Sequence, residues 1–421
     1  MNMTRREFLK SAAVLAALAP FARLRAQEPA APAAGDASAK PHTIGPVTRR
    51  TMAGVSVPLL GFGTMRLPRG EDGKIDRALT ERLWSRYLEC GGNYFDTAYM
   101  YHDGESEEVV GAILSKRPRD SYLLASKMPV WLARTEDGVK RVFEEQLERT
   151  KAEYFDFYLM HALGTGNWNL AKQIRALDFL LEKKKEGRIR HLGFSFHDQP
   201  EAMDPILDAY DWEFAMIQLN YQDWTRYRSK EQYEKLVAKR IDVAVMEPLR
   251  GGALARLNEP AKAIFKQADP DASPASWAFR WVASLPGVKL VNSGMGRESD
   301  LEDNLRTFSP LKELEDGERG TIAAALAAFQ GGQAVPCTAC RYCVPCPAGV
   351  AIPEIFALWN AYKADGNKDR FLRGYAKLPE DARASECVSC MRCTKHCPQK
   401  ISIPDELAKI DAERLALTPA T

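Results

Sequence analysis

The stretch that decides the fold runs from residue 94 to residue 107 and reads Tyr94-Phe95-Asp96-Thr97-Ala98-Tyr99-Met100-Tyr101-His102-Asp103-Gly104-Glu105-Ser106-Glu107. Its first five residues are typical of a short strand, Gly104 marks a loop, and the apolar spacing after Ser106 predicts an amphipathic helix. The stretch therefore predicts strand, loop and helix. It places an acid, Asp96, and a phenol, Tyr101, at one rim of a parallel sheet, although both residue types are also common in loops without function.

The same alternation of strand and helix patterns extends from about residue 55 to residue 308. Eight short apolar runs predict strands, and they are Pro58–Gly63, Tyr94–Ala98, Tyr122–Lys127, Phe155–Ala162, Ile189–Ser195, Phe214–Tyr221, Asp242–Leu249 and Val288–Gly294. Eight strand–helix units over about 250 residues are typical of a (β/α)8 TIM barrel. A doubly wound sheet is the alternative, but Gly61-Phe62-Gly63-Thr64 does not open a helix as a glycine-rich phosphate turn would.

Polar residues stand at the ends of the predicted strands, where a barrel of this kind carries its function. They are Asp96, Lys127, His161, Ser195, Gln218, Glu247 and Ser293. One polar residue at a strand end is usually a helix cap or a solvated rim residue. Lys127 indicates more, because a cation at the end of a buried strand needs a counter-charge, and Asp96 can supply it.

Four of these features resemble the catalytic tetrad of the aldo-keto reductases: Asp96, Tyr101, Lys127 and His161. The resemblance covers roughly residues 48 to 310 and includes Gly104-Glu105-Ser106-Glu107, Gly193-Phe194-Ser195 and Glu247-Pro248-Leu249. It implies hydride transfer between a nicotinamide and a small carbonyl or alcohol, with Tyr101 as the acid. Lys127 would stabilise the Tyr101 anion, Asp96 would hold Lys127, and His161 would orient the carbonyl.

The resemblance also implies that Ser195 and Gln218 bind the nicotinamide carboxamide. The family's aromatic residue over the ring is replaced by Met246, which could still pack there, and the usual Asn after Ser195 is Phe196. Three tryptophans follow predicted strands and either line a substrate pocket or pack at its rim: Trp131, Trp168 and Trp224.

The nucleotide end departs further from the family. Counted back from Asn304, the two family cations that bind the NADP 2′-phosphate are replaced by Gly294 and Asp300. A carboxylate repels a phosphate but accepts hydrogen bonds from a ribose hydroxyl, so we predict a preference for NAD. Arg297 lies in the same loop and is the residue that could still reach a phosphate.

Eight of the nine cysteines form two similar runs in the last quarter of the chain. Cys337-x2-Cys340-x2-Cys343-x2-Cys346-Pro347 is followed by Cys387-x2-Cys390-x2-Cys393-x3-Cys397-Pro398, and Pro353 and Pro404 each come seven residues after a run, where they predict helix starts. Disulfides and zinc sites are the alternatives. The even spacing favours iron–sulfur clusters, and Cys90 is expected to be a core residue.

The two runs resemble bacterial two-cluster 4Fe-4S ferredoxins. In that pattern the fourth cysteine of each run binds the other cluster. The resemblance implies that one cluster is held by Cys337, Cys340, Cys343 and Cys397, and the other by Cys387, Cys390, Cys393 and Cys346. The first run departs from the pattern, with two residues instead of three before Cys346.

The N-terminus, Thr4-Arg5-Arg6-Glu7-Phe8-Leu9-Lys10 followed by apolar residues 11–22, resembles a twin-arginine export signal. A membrane anchor or basic tail is the alternative, but about 12 apolar residues are too few to span a bilayer. We predict a signal over residues 1–26, although cleavage after Ala39 also fits, then a disordered linker over 27–47. The mature protein would be periplasmic without a stable membrane span. The twin-arginine route carries folded proteins, so clusters could be inserted before export.

Composition argues against a nucleic-acid partner. Lys and Arg number 58 against 56 Asp and Glu in 421 residues, and there is no long basic run. We predict a barrel over 48–330 and a small helical two-cluster domain over 331–421, joined near Gly331-Gly332, with a redox partner protein. No flavin motif links a two-electron hydride to one-electron clusters. The alternative is therefore an electron-transfer or structural protein whose barrel no longer turns over nicotinamide.

Overall fold

Ten strands occur in the described residues, and eight of them close into a parallel barrel. The computed structural model describes residues 44–330 and 334–417. The first strands, β1 (Arg49–Met52) and β2 (Val55–Pro58), form an antiparallel hairpin. The barrel consists of β3 (Leu60–Gly63), β4 (Tyr94–Asp96), β5 (Leu123–Met128), β6 (Phe155–Leu163), β7 (Ile189–Phe196), β8 (Phe214–Gln218), β9 (Asp242–Met246) and β10 (Val288–Ser293). Each pairs with the next and β10 pairs with β3, so the TIM barrel is confirmed and the doubly wound sheet is wrong.

The hairpin closes the N-terminal end of the barrel. Met52 and Val57 are fully buried in one cluster with the side chains that fill the barrel interior, which include Tyr94, Phe157 and Phe214. The turn between β1 and β2 is fixed to β9 by a hydrogen bond, which the Ala53 N–H donates to Asp242 Oδ2 at 2.8 Å. The sequence did not predict this hairpin, because two four-residue strands give too short a pattern. Its position leaves the opposite, C-terminal face for ligands.

Thirteen helices among the described residues accompany the barrel, most of them where the periodicity predicts. They are α1 (Arg77–Glu89), α2 (Glu105–Leu114), α3 (Val130–Ala133), α4 (Glu136–Thr150), α5 (Thr165–Gln173), α6 (Ala176–Lys185), α7 (Asp204–Leu207), α8 (Asp223–Arg226), α9 (Ser229–Ala238), α10 (Glu259–Ala268), α11 (Pro274–Ala283), α12 (Glu298–Phe308) and α13 (Asp316–Gln330). The apolar spacing of residues 170–185 predicts one helix, but the structure divides this segment between α5 and α6 at Arg175, whose φ is 49°.

A second, helical domain follows with its own core. Its helices are α14 (Ile352–Asp365), α15 (Lys368–Ala376), α16 (Arg392–His396) and α17 (Ile403–Leu417). Trp359, Phe371 and Leu407 are buried at its centre. Pro353 and Pro404 are the second residues of α14 and α17, which confirms the predicted helix starts. Of the helices in the described ranges, none combines the length and apolar character needed to cross a membrane.

The second domain packs on the C-terminal face of the barrel, within the compact unit that starts at Ile44. Three contacts join loops after barrel strands to the cysteine runs. Arg66 Nη2 donates to the Thr338 carbonyl at 3.1 Å, the side chains of Gln218 and Gln399 pair, and Lys400 Nζ lies 3.5 Å from Asp198 Oδ1. The predicted signal, residues 27–43 of the predicted linker and Gly331-Gly332 lie outside the described residues.

Candidate active site

Lys127 is the centre of the candidate site. Its Nζ donates to Asp96 Oδ1 at 2.6 Å, to the Thr97 carbonyl at 2.7 Å and to the Tyr101 phenol oxygen at 3.3 Å. These contacts use all three ammonium protons. Lys127 is 1% exposed and Asp96 4% exposed, so the charge pair is buried where β4 and β5 end. Three residues of the predicted tetrad are thus in direct contact.

Burial controls the protonation of these groups. It raises the pKa of Asp96 and lowers the pKa of Lys127, while their ion pair opposes both shifts. It also raises the pKa of Tyr101, with Asp96 and Glu247 adding to the rise and Arg66 opposing it. The expected lowering of the Tyr101 pKa by Lys127 is therefore not the net result. The phenol is held in its protonated form before a substrate binds.

His161 completes the tetrad from β6. Its ring centre lies 6.2 Å from that of Tyr101 and 5.1 Å from that of Trp131. Burial lowers the pKa of His161 well below its usual value, helped by Lys127 and His197, so the imidazole is neutral. Its Nδ1 is buried and has no hydrogen-bond partner in the described part of the chain. A neutral imidazole can donate one hydrogen bond to a carbonyl oxygen.

A buried polar network fixes the strand that carries Lys127. Ser126 Oγ donates to Glu107 Oε1 at 2.8 Å, and Gln146 Nε2 donates to the same oxygen at 2.7 Å. Gln146 Nε2 also lies 3.1 Å from the Lys127 carbonyl, and Tyr158 donates to Gln146 Oε1. These side chains are fully buried, so their mutual satisfaction specifies one arrangement of β5. Glu107 belongs to the stretch that predicted the fold, whereas Gln146 carried no signal in the sequence.

The three predicted nicotinamide residues stand at the ends of neighbouring strands. Ser195 Oγ accepts the Ala162 N–H at 2.7 Å. Gln218 ends β8, and Met246, at the end of β9, packs against the barrel interior. The Gln218 amide is already engaged, since Gln399 Nε2 donates to Gln218 Oε1 at 2.9 Å and Gln218 Nε2 donates to Gln399 Oε1 at 3.3 Å.

The predicted nucleotide residues lie around the start of α12. Arg297 and Asp300 bind each other, with Nε–Oδ2 at 3.0 Å and Nη2–Oδ1 at 2.9 Å. Asn304 is buried and donates to Ser293 Oγ at 2.9 Å. Arg66 lies against Gly294, where an added Cβ would come 3.0 Å from the Arg66 Cβ. The positive charge of Arg297 is thus neutralised by Asp300, the carboxylate expected to bind the ribose hydroxyl.

The three tryptophans separate into two groups. Trp131 lies beside His161 and therefore faces the tetrad. Trp168 is buried in the main core, and Trp224 packs edge to face on Trp281 with ring centres 5.1 Å apart. Rim packing is therefore the outcome for Trp168 and Trp224, as one of the two alternatives predicted.

Two residues beside the tetrad were not predicted to act there. Glu247 follows β9 with a φ of 54°, its Oε1 lies 3.6 Å from Arg66 Nη2, and its buried Oε2 has no hydrogen-bond partner in the described ranges. Tyr342 comes from the loop between Cys340 and Cys343. Burial raises its pKa, and Tyr101, Cys340, Glu247 and Asp96 add to the rise, which places Tyr342 beside the tetrad. No sequence pattern could assign that loop a neighbour in another domain.

Four cysteines from both runs line one cavity. They are Cys337, Cys340, Cys343 and Cys397, and the rest of the lining includes Ile352, Phe356, Ile401 and Gln399. Burial and the neighbouring thiols raise the pKa of Cys340 and Cys343 to about 12. Thiols packed this way deprotonate together only with a strong positive charge between them, which an iron–sulfur core supplies.

The remaining cysteines lie apart from this cavity. Burial raises the pKa of Cys393, and the Cys387 and Cys346 thiols add to the rise. Cys390 is exposed, and beside it Val388 and Met391 are 69% and 42% exposed. Cys397, the fourth cysteine of the second run, lies with the first run, as the ferredoxin pattern implies for that residue. Cys90 is a buried core residue, as expected.

Comparison with known proteins gives two family matches. Residues 59–326 match the model described as the Aldo/keto reductase family, and residues 336–401 match the one described as a 4Fe-4S dicluster domain. The two matches together cover the barrel and both cysteine runs.

Individual relatives match the barrel region. Methylglyoxal reductase YeaE of Escherichia coli (strain K12) is 31% identical over 245 residues, covering 56% of this chain and 81% of that protein. The NADH-specific methylglyoxal reductase of the same organism is 26% identical over 222 residues, covering 48% and 66%. An aldo-keto reductase from Klebsiella pneumoniae, solved in complex with NADPH, gives a TM-score of 0.56 at 21% identity, covering 68% of this chain and 95% of that chain. That structural likeness supports the fold.

Proposed function

The chain belongs to the aldo/keto reductase family, and on that basis we propose that this oxidoreductase interconverts a small carbonyl compound and its alcohol while exchanging electrons with two 4Fe-4S clusters. The observation that carries the proposal is the position of the cysteine cavity. Gln399 lines that cavity and also pairs with Gln218 at the mouth of the barrel. One cluster would therefore lie against the barrel site.

The tetrad would act as an acid and an electrostatic clamp. Tyr101, held protonated, gives its proton to the developing alkoxide, and Lys127 at 3.3 Å then stabilises the phenolate. Neutral His161 orients the carbonyl by donating a hydrogen bond to its oxygen. Reduction to the alcohol takes two electrons and two protons. A bound nicotinamide supplies both electrons and one proton as hydride, and Tyr101 supplies the other proton.

We assign the ligands of one cluster from the cysteine-lined cavity and those of the other cluster from the ferredoxin pattern. Cys337, Cys340, Cys343 and Cys397 would hold the cluster near the barrel, and Cys387, Cys390, Cys393 and Cys346 the outer one. The donor set fits a cluster rather than a single ion, because four thiols line one apolar cavity without converging on one point in the described residues, and Ala339 N lies 3.4 Å from Cys337 Sγ as a donor to sulfur. Each cluster would carry one electron, so two reduced clusters and one proton would together return one oxidised nicotinamide to its hydride-carrying form, which matches one two-electron reduction.

A nicotinamide nucleotide is the proposed hydride carrier. Ser195, Gln218 and Met246 would hold its ring, and Arg297, Asp300 and Asn304 lie where its adenosine end would bind. The relative named for NADH and the neighbour solved with NADPH support this class of cofactor. We favour NAD, because Asp300 would repel a 2′-phosphate and already pairs with Arg297. Two relatives are named methylglyoxal reductases, so methylglyoxal is the first carbonyl to assay.

The outer cysteine run is the proposed point of contact with a redox partner protein. Cys390 is exposed there between the exposed apolar side chains of Val388 and Met391. An exposed ligand brings its cluster to the surface, where one electron can pass to another protein.

We also propose export by the twin-arginine route to the periplasm. The support is Arg5-Arg6 ahead of an apolar stretch, together with clusters that would have to be inserted before export.

The test uses the full chain purified without oxygen, with its clusters. Its visible absorbance is recorded before and after NADH or NADPH, and again after methylglyoxal. We expect the nucleotide to lower the cluster absorbance and methylglyoxal to restore it as the alcohol forms. The proposal fails if no alcohol forms from methylglyoxal or a panel of aldehydes and ketones, whether the electrons come from nucleotide or from dithionite.

A further inference from the structure

A glutamine of the second domain, Gln399, contacts Gln218, the side chain predicted to bind the nicotinamide carboxamide. Gln399 makes two hydrogen bonds with Gln218, one in each direction, at 2.9 and 3.3 Å. Gln218 is fully buried at the end of β8, and Gln399 stands two residues after Cys397. This is the pairing expected between any two primary amides that meet edge to edge.

Asp223 fixes the orientation of the Gln218 amide. Gln218 Nε2 donates to Asp223 Oδ2 at 2.7 Å, and a carboxylate can only accept, so nitrogen must face Asp223. Asp223 is held in turn by Asn220 Nδ2 at 2.7 Å and by Arg250 Nε at 2.9 Å. Gln218 therefore presents one fixed N–H and one fixed oxygen toward the mouth of the barrel, a preorganised receptor for a carboxamide.

The Gln218 amide, oriented by Asp223, can pair with only one other amide at a time. Gln218 Nε2 has two protons, of which one goes to Asp223 and the other to Gln399. No proton remains for a third partner. A nicotinamide carboxamide is the same chemical group as the end of Gln399, and it would need the same proton and the same face of Oε1.

We infer that Gln399 is an intramolecular competitor of the nicotinamide carboxamide at Gln218, so that nucleotide binding requires Gln399 to leave. This inference rests on the proposed use of a nicotinamide at Gln218. Because Gln399 stands two residues after Cys397 and lines the same cavity, departure of Gln399 would change the surroundings of a proposed cluster ligand. Nucleotide binding and the surroundings of that cluster would then be linked.

The test compares NAD⁺ affinity by calorimetry on the full chain with clusters in place. Gln399→Ala removes the competitor, and Gln399→Met keeps its reach but removes both the donor and the acceptor of the amide. Loss of a pair of hydrogen bonds from the competitor should tighten NAD⁺ binding about tenfold in both variants. Lys400→Ala is the matched control, because it removes the neighbouring contact with Asp198 and leaves the amide pair intact. Its affinity should equal that of the unaltered protein.

Equal NAD⁺ affinity in all four proteins would overturn the competition. Tightening by Lys400→Ala as large as that by Gln399→Ala would also overturn it, since general loosening of the domains would then explain both. Absence of NAD⁺ binding in every variant overturns this inference as well. That outcome leaves the proposed function to be judged separately, by alcohol formation when NADPH is the hydride donor.

Discussion

At the scale of single residues, the site shows how one buried cation organises three other groups. Lys127 would be unstable alone in the interior, and its three donors are met by Asp96, a backbone carbonyl and Tyr101. The same burial that makes the Lys127–Asp96 pair necessary also keeps Tyr101 protonated and His161 neutral. A proton donor and a neutral hydrogen-bond donor are therefore ready at neutral pH without any further titration.

Tyr101→Phe tests the proton donor. The phenyl ring keeps the packing on His161 and loses only the hydroxyl, so turnover of methylglyoxal should fall by at least about two orders of magnitude while nucleotide affinity changes little. Tyr99→Phe is the matched control, because the Tyr99 hydroxyl bonds Glu145 at 2.6 Å instead of the tetrad. Unchanged turnover in Tyr101→Phe, measured at saturating carbonyl, would remove Tyr101 from the chemistry.

The preference for NAD is tested at Arg297 and Asp300. Asp300 neutralises Arg297 through two hydrogen bonds, so a 2′-phosphate meets no free cation from this pair. We expect calorimetric titration to give NAD binding at least as tight as NADP. Asp300→Asn should release Arg297 and shift the preference toward NADP by about tenfold. NADP binding tenfold tighter than NAD in the unaltered protein would show that Arg297 already serves the phosphate.

The sequence predicts the role of a single residue only where the interaction partner of that residue can also be identified from the sequence. Lys127 could be paired with Asp96 because a buried cation needs an anion, and both stand at strand ends. Glu247 could be predicted to stand at a strand end, but its left-handed φ and its approach to Arg66 could not. Gln399 and Tyr342 gave no signal at all, since their partners belong to another domain and only three-dimensional packing brings them together.

At the scale of elements, the last cysteine of the second run lies with the first run. Cys397 lines one cavity with Cys337, Cys340 and Cys343. The ferredoxin pattern implies the reciprocal exchange for Cys346. Strands and helices of the barrel could be predicted because each has a clear period. The four-residue strands of the hairpin and the break at Arg175 could not, since both depend on tertiary packing.

Cys346→Ser tests the exchange of ligands. It should damage the outer cluster and spare the one near the barrel, although Cys346 belongs to the first run in sequence. Iron content and low-temperature EPR spectra should therefore match those of Cys387→Ser and differ from those of Cys337→Ser. Cys90→Ala, which removes a thiol outside both runs, should leave both signals intact. A spectrum of Cys346→Ser that matches Cys337→Ser would show that each run keeps its own four cysteines.

At the scale of the whole molecule, the proposed electron transfer depends on how closely the cysteine loop approaches the barrel. Gly251, in the loop after β9, has a φ of 66°, and its backbone packs against the backbone of Thr338. A Cβ at this position would be 2.2 Å from the Thr338 carbonyl oxygen, so any side chain must push the loop of Cys337 and Cys340 away. That displacement would also strain the contact of Arg66 with the Thr338 carbonyl.

Gly251→Ala should therefore increase the distance between the proposed inner cluster and the tetrad, while both remain intact. We expect full iron content, but reoxidation of the clusters by methylglyoxal, followed by stopped flow, should slow on the order of tenfold or more, because small misplacements of reacting groups are costly. Gly187→Ala is the matched control, since Gly187 has a similar φ of 78° but nothing within 4 Å of an added Cβ. It carries the same backbone strain and should keep the normal rate. If Gly251→Ala also keeps that rate, electrons do not pass across this interface, and the second domain serves the barrel in some way other than electron transfer.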